Sequence, residues 1–246
     1  MTKLPVILQA RMSSHRLPGK VLFNLNGKPM IFWQIQRILK CQNVSEVIVS
    51  TSTDKSDDIL CDYLEKISVK YYRGHLTDVL DRFISLIDIH KISNFVRLTA
   101  DSPLVSFQLL NQMIVFFFEN NFEYLTNTMP PTYPDGFDIE IVSSNSLKKL
   151  ASQIQDLSLR EHVTLGFHKS IDKYRIFNFS NIRDLSHYRF TVDYSEDYEF
   201  MLRVFEEIKT REIQIEIDEL IQIVETKKIQ NPLGNAFRNI ATKDLE

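Results

Sequence analysis

Short apolar runs alternate along the chain with amphipathic stretches of helical period. Val6 to Leu8 reads as a buried first strand, and Asn26-Gly27 followed by Lys28-Pro29 reads as a turn that opens a helix. In that helix, PMIFWQIQRILK, the residues Ile31, Ile35, Ile38 and Leu39 fall on one face. EVIVST at 46–51 is the next strand, and Ser52 to Asp57 opens a helix with Ile59, Leu60, Leu64 and Ile67 at helical spacing. Strand VKYY, loop RGHLTD and a helix from Asp78 to His90 follow, the helix turning Val79, Phe83, Leu86 and Ile87 inward. NFVRLTAD at 94–101 is a fourth strand, SFQLLNQMIVFFFEN a fourth helix and FEYLT a fifth strand. This rhythm predicts an α/β domain with a largely parallel central sheet, which binds ligands at the carboxyl ends of its strands.

After Thr128 the rhythm changes. MPPTYPDG carries three of the eight prolines and leads into the alternating segment FDIEIVS, which suits an antiparallel or edge strand. Helices over 144–152 and 158–170, strands YRIFNF and YRFTVD, and helices over 196–209 and 216–226 complete the pattern. No repeat or linker divides the chain, so residues 1–226 read as one domain and 227–246 as a polar, loosely attached tail.

Composition narrows the class. At 246 residues and 43% apolar, the chain can fill a sizeable core. The balance of 29 basic and 32 acidic side chains, a formal charge of −3, argues against a general nucleic-acid or membrane-surface binder, so any basic site is local. No apolar run is long enough for a signal segment or a membrane span, and the expectation is a cytoplasmic protein. Cys41 and Cys61 stand alone, without the spacing of a zinc site or disulfide framework, and read as core residues. Glycine is scarce, six where average usage gives about seventeen, which singles out Gly19, Gly27, Gly74 and Gly136.

Candidate chemistry gathers at the first strand's carboxyl end, in ILQARMSSHRLPGKVL. Arg11, Arg16 and Lys20 lie within ten residues, with Ser13, Ser14 and Gly19 supplying hydroxyls and accessible backbone N–H groups. Such a loop suits a polyphosphate; a solvated basic loop anchored by Leu17-Pro18 is the other reading. It has the spacing of neither a Walker A loop nor a dinucleotide turn. Asp101 ends an apolar strand before Ser102-Pro103, and Asp193 repeats the situation before a helix. Each suits a helix cap or, as a pair on one rim, a hard cation such as Mg2+ bound beside substrate phosphates.

Ligand recognition has several further candidates. Arg73 ends a strand at the ligand rim, while Asp78 and Arg82 stand four apart, aimed at the cleft or at each other. Tyr133, Asp135 and Gly136 form a turn that could cover a bound ligand. Asp138 and Glu140 share one strand face, for hydroxyl recognition or simple exposure. Arg160, Glu161 and His162 open a helix, where His162 could accept a proton or serve as a hydrogen-bonded structural residue.

QARMSSHRLPGKVL with NGKPMI behind it, RLTADSPLV and VDYSEDYE resemble signature segments of the cytidylyltransferases that activate sugar acids, the CMP-Kdo and CMP-sialate synthetases. With YRGHLTDVLDRF, TYPDGFDIEIVS and LREHVT, the likeness extends in order over most of residues 5–200 and is strongest to the branch named for the spore-coat polysaccharide protein SpsF. The resemblance implies a three-layer α/β/α nucleotide-diphospho-sugar transferase-like fold, homodimers, and CMP transfer from CTP to a 2-keto-3-deoxy sugar acid with release of pyrophosphate. By position it implies that Arg11, Ser14 and Lys20 contact the triphosphate and that Asp101 and Asp193 hold Mg2+. His15 departs from the family's more usual threonine. A related glycosyltransferase would commonly carry Asp-x-Asp where this chain has Ala100-Asp101-Ser102-Pro103; a phosphorylated sugar or alcohol is a further possible acceptor, and a binding subunit without turnover a further role.

Overall fold

Alternation along the first strand sets the layers of the molecule. The computed structural model describes residues 3–234. In β1 (Leu4–Gln9), Val6 and Leu8 enter one core and Ile7 enters another on the opposite face. β4 (Val44–Ser52) repeats this with Val47 and Val49 against Ile48, and β6 (Asn94–Thr99) with Val96 and Leu98 against Phe95. Strands buried on both faces need helices on both sides, which is the three-layer arrangement expected. Helices α1 (Met30–Lys40), α2 (Asp58–Lys66), α4 (Phe107–Asn120), α8 (Ser195–Glu207) and α9 (Ile217–Thr226) cover the first core. The second lies under α3 (Val79–Ile89), α5 (Ser144–Ala151) and α7 (Leu165–His168), while α6 (Leu157–Glu161) buries no residue of its own.

Among the described residues one seven-stranded sheet runs β5 (Lys70–Gly74), β4, β1, β6, β8 (Glu140–Ser143), β7 (Tyr124–Thr126), β9 (Ile176–Asn178). A small hairpin, β2 (Asn24–Leu25) and β3 (Lys28–Pro29), stands apart from it. β1 pairs in parallel with β4 on one side and β6 on the other, with Gln9 level with Ser50 and Thr99, so three carboxyl ends meet at one rim. The strand order reverses at β1, which is where an open α/β sheet forms its crevice. β8 is antiparallel, as its alternation predicts, but it lies inside the sheet between β6 and β7.

Several expectations change. YRFTVD forms no strand among the described residues; it is extended, yet its only ladder contact is a bridge between Asp135 and Arg189. Its backbone bonds instead to loops, through Phe190 N–H to the Asp135 carbonyl (2.7 Å) and Val192 N–H to the Asp101 carbonyl (2.8 Å). Alternation there reports Phe190 and Val192 in the core, not a partner strand. The 158–170 helix is broken at Val163, whose φ of +57° cannot continue α6 into α7. Leu39 and Ile59 are exposed, because the buried stripes of α1 and α2 pass through Arg37-Ile38 and Leu60-Cys61 instead. Cys41 and Cys61 are buried free thiols, as expected. No described helix is long and apolar enough to cross a membrane.

Gly136 shows where backbone approach dictates sequence. At φ +99° a Cβ would lie 2.6 Å from the Phe190 carbonyl carbon and 2.7 Å from the Thr191 nitrogen, both backbone atoms that cannot step aside. Gly136→Ala is therefore expected to cost about 2–4 kcal/mol, from overpacking and a left-handed backbone together. Urea unfolding checks it; a midpoint equal to that of the unsubstituted protein would contradict this reading.

Candidate active site

The loop after β1 is pinned at its base by its neighbours. Asp57, fully buried before α2, accepts from the Met12 N–H (2.7 Å), from the Ser52 N–H (3.0 Å) and from the Ser52 hydroxyl. Gly19, at φ +76°, closes the loop by donating its N–H to the Met12 carbonyl at 2.8 Å, in a conformation glycine adopts without strain. Arg11, Ser14, Arg16 and Lys20 then line one cleft of about 380 Å3, with Thr99 and Asp101 from the β6 rim, Glu161 from the end of α6, His162 just beyond it, and Asp193.

Lys20 is the centre of its charge pattern. The ammonium donates to the Val192 carbonyl (2.8 Å) and Asp193 Oδ1 (2.7 Å) and lies 3.6 Å from Asp101 Oδ2. Asp101 Oδ1 accepts from the hydroxyls of Thr99 (2.7 Å) and Ser102 (3.1 Å), which fixes the carboxylate plane. Arg16 pairs with Asp193 Oδ2 at 2.7 Å and lies over the Tyr194 ring. Burial alone would raise the Asp193 pKa, but Lys20 and Arg16 outweigh it and hold the carboxyl below its ordinary range. Arg11 pairs with Glu161 at 3.0 Å.

Asp101 and Asp193 thus present two carboxylates to one point, and no cluster of three or more His, Cys, Asp or Glu side chains forms a metal set among the described residues. That donor set fits a hard cation shared with substrate phosphates and does not fit an all-protein metal cage.

Arg97, Thr99 and His162 also line an adjoining chamber of about 190 Å3, which Asp138, Glu140, Thr164 and His168 complete. Arg97 donates to Glu140, to the Gln9 side chain (2.9 Å) and to Thr164 Oγ1 (3.3 Å), and the Tyr124 hydroxyl also donates to Glu140. Burial would raise the Glu140 pKa; Arg97 and the hydroxyl donors reverse this and lower it. Burial lowers the His162 pKa against the pull of Glu161, with Arg97 and Arg11 adding to the fall, so its ring is neutral near pH 7. Val163 holds a left-handed backbone that is strained for a β-branched residue, between His162 and Thr164 on the chamber wall.

The other expected site residues lie elsewhere. The Ser13 hydroxyl is buried outside the lining, and Gly19 serves loop closure. Arg73 bonds to the Ser52 and Asp54 carbonyls and to Asp58, tying the β4 rim to α2. Arg82 is fully buried on Ser50 Oγ (3.0 Å) and the His75 carbonyl (2.8 Å), and burial pushes its pKa down to about 10. Asp78 pairs not with Arg82 but with Arg160, at 2.7 Å. Tyr133 and Asp135 are buried, Asp135 against Arg189 at 2.6 Å. Neither chamber is lined by Arg73, Arg82, Tyr133, Asp135 or Arg160. Sequence reasoning left Arg97 and Asp57 unassigned and gave Glu161 no role; a charged residue inside an apolar strand was the available signal for Arg97.

A basic loop at the reversal point of a mostly parallel sheet, facing two carboxylates across a buried lysine, defines a nucleotide-handling α/β transferase. A family model described as Cytidylyltransferase matches residues 5–233; the chain belongs to that family and is a CTP-dependent nucleotidyltransferase. It is 32% identical over 234 residues to the spore coat polysaccharide biosynthesis protein SpsF of Bacillus subtilis, spanning 91% of this chain and 95% of that one. A solved cytidylyltransferase from Leptospira borgpetersenii serovar Hardjo-bovis superposes with a TM-score of 0.89 and 31% identity, over 94% of this chain and 98% of the other. A CMP:2-keto-3-deoxy-manno-octonic acid synthetase solved with CTP shares the fold, at TM-score 0.65 and 17% identity, over 84% and 99% of the two chains.

The lowered carboxylates make stability pH-dependent. Asp193, Asp197 and Glu140 bind fewer protons folded than unfolded. Their contribution is therefore complete above the ordinary carboxylate range near about pH 4 and is lost as pH falls through the folded values. Urea midpoints are expected to fall steadily below about pH 4 and to fall less steeply in Glu140→Gln. An acid limb identical in that variant would contradict the assignment of Glu140.

Proposed function

We propose that the enzyme transfers CMP from CTP to a sugar acid of the 2-keto-3-deoxy class, releasing pyrophosphate. The observation that carries the reading is Lys20 held between Asp101 and Asp193 at the mouth of the basic loop. Relatives support the acceptor class: one is a spore coat polysaccharide protein, and a structural neighbour is a synthetase of a CMP-linked sugar acid. The adjoining chamber, lined by Arg97, has the guanidinium that an acidic acceptor calls for, with its Nε buried and without a protein partner.

In the proposed reaction an acceptor oxygen bonds to the α-phosphorus of CTP while the bond to the β-phosphate breaks, so that pyrophosphate leaves. Arg11, Ser14 and Arg16 hold the β- and γ-phosphates, and Lys20 places its charge at the α-phosphate, where negative charge develops. Neutral His162, on the wall between the chambers, accepts the acceptor's proton. Asp101 and Asp193 would hold Mg2+, which supplies further charge neutralisation at the phosphates.

Pyrophosphate release from CTP is expected only when a 2-keto-3-deoxy sugar acid is present. Lys20→Ala and Asp101→Asn should each lower turnover by about 10²–10³-fold. Near-normal release by either variant would overturn the assignment.

A further inference from the structure

Behind Asp193 lies a buried charge cluster that the proposed chemistry does not use. The Arg189 side chain is 1% exposed and that of Asp197 is 0% exposed. Arg189 grips Asp197 with one edge of its fork, Nε to Oδ1 at 2.7 Å and Nη2 to Oδ2 at 2.8 Å. Its remaining nitrogen donates to Asp135 at 2.6 Å, and Nη2 stands 3.7 Å from Asp193 Oδ2. Asp197 in turn accepts the backbone N–H groups of Asp193 (2.9 Å) and Tyr194 (3.0 Å) on Oδ2, and the Asn231 amide (2.8 Å) on Oδ1.

Stability alone is a poor reason for this arrangement. Desolvation offsets most of the Coulomb energy of a buried pair, and packed apolar side chains of similar volume are often as stabilising. What the planar fork supplies is direction. Asp193 follows an extended segment whose ladder contact is the Asp135–Arg189 bridge, four residues upstream, and Lys20 and Arg16 pull on its carboxylate. The Asp197 carboxylate holds the Asp193 N–H from behind, and Arg189 holds Asp197, while the Asp135 contact ties the same guanidinium to the turn closed by Gly136.

We infer that Arg189 is a positioning residue of the transfer reaction: through Asp197 it fixes the backbone of Asp193, so that the Asp193 carboxylate meets Asp101 and Lys20 at the reacting phosphate. The inference rests on the proposed reading of Asp193 as a ligand of a divalent ion shared with CTP. Outer partners of metal-binding carboxylates commonly govern metal affinity by about 10–100-fold, which sets the size of the effect.

The test is calorimetric titration of CTP into the full chain, with and without Mn2+, for the unsubstituted protein, Arg189→Lys and Arg189→Met. The unsubstituted protein is expected to bind CTP more tightly with Mn2+. In both variants that metal-dependent gain should shrink by about 10–100-fold, with metal-free CTP affinity within about twofold of the original. Folded variants that keep the full gain, or that lose affinity equally with and without metal, would overturn the inference. Should the Arg189 variants fail to fold, Asn231→Ala removes one neutral donor from Asp197 and leaves the charges paired. It should weaken only the metal-dependent component, by about fivefold, and an unchanged component would be equally decisive against the inference. Absence of any metal-dependent gain in the unsubstituted protein would instead remove the reading of Asp193 itself.

Discussion

Lys20 joins three parts of the molecule through one ammonium group. It rises from the loop after β1, lies 2.7 Å from Asp193 at the start of α8, and lies 3.6 Å from Asp101 at the end of β6. A lysine only 10% exposed would be costly without those carboxylates, and Asp193, at 16%, would be costly without the lysine. Each charge is tolerable because the others are there. The fold's contribution is to bring them together: the parallel register of β1, β4 and β6 sets Gln9, Ser50 and Thr99 level, so the loops that follow open onto one crevice.

Much of this was legible in the chain. Helical spacing located α1 to α4, α8 and α9, and the apolar runs located the parallel strands, because these elements are buried in ways that the period of the side chains records. The basic loop and the two aspartates stood out for a related reason, since each follows an extended apolar segment and marks where the chain leaves the core. What misled was alternation without a partner. In 188–193 the inward turns of Phe190 and Val192 look like a strand, but the backbone bonds go to loops that only the tertiary structure brings near. Val163 was hidden because nothing in its residue type announces a left-handed backbone.

The Arg97 chamber was less legible than the basic loop. Glu140 lies in a strand as expected, but simple exposure does not describe its buried pairing with Arg97 and the Tyr124 hydroxyl. Arg73, Arg82 and Arg160 looked alike in sequence and are used instead to fasten strand rims and helices. An arginine's role depends on whether carbonyls and carboxylates surround its fork, which spacing along the chain does not reveal. The pattern that emerges is a cleft whose cations are each already matched, Arg11 by Glu161, Arg16 and Lys20 by Asp193, and Arg97 by Glu140.

The linkage in the product tests the central claim most directly. Phosphorus NMR of the enzyme with CTP, Mg2+ and a panel of 2-keto-3-deoxy sugar acids should show a single phosphodiester signal of a CMP-linked sugar growing in step with pyrophosphate. CTP left unconsumed with every sugar acid, together with a diphosphate-linked product from a sugar phosphate, would contradict the proposed acceptor and the use of the Arg97 chamber for a carboxylate.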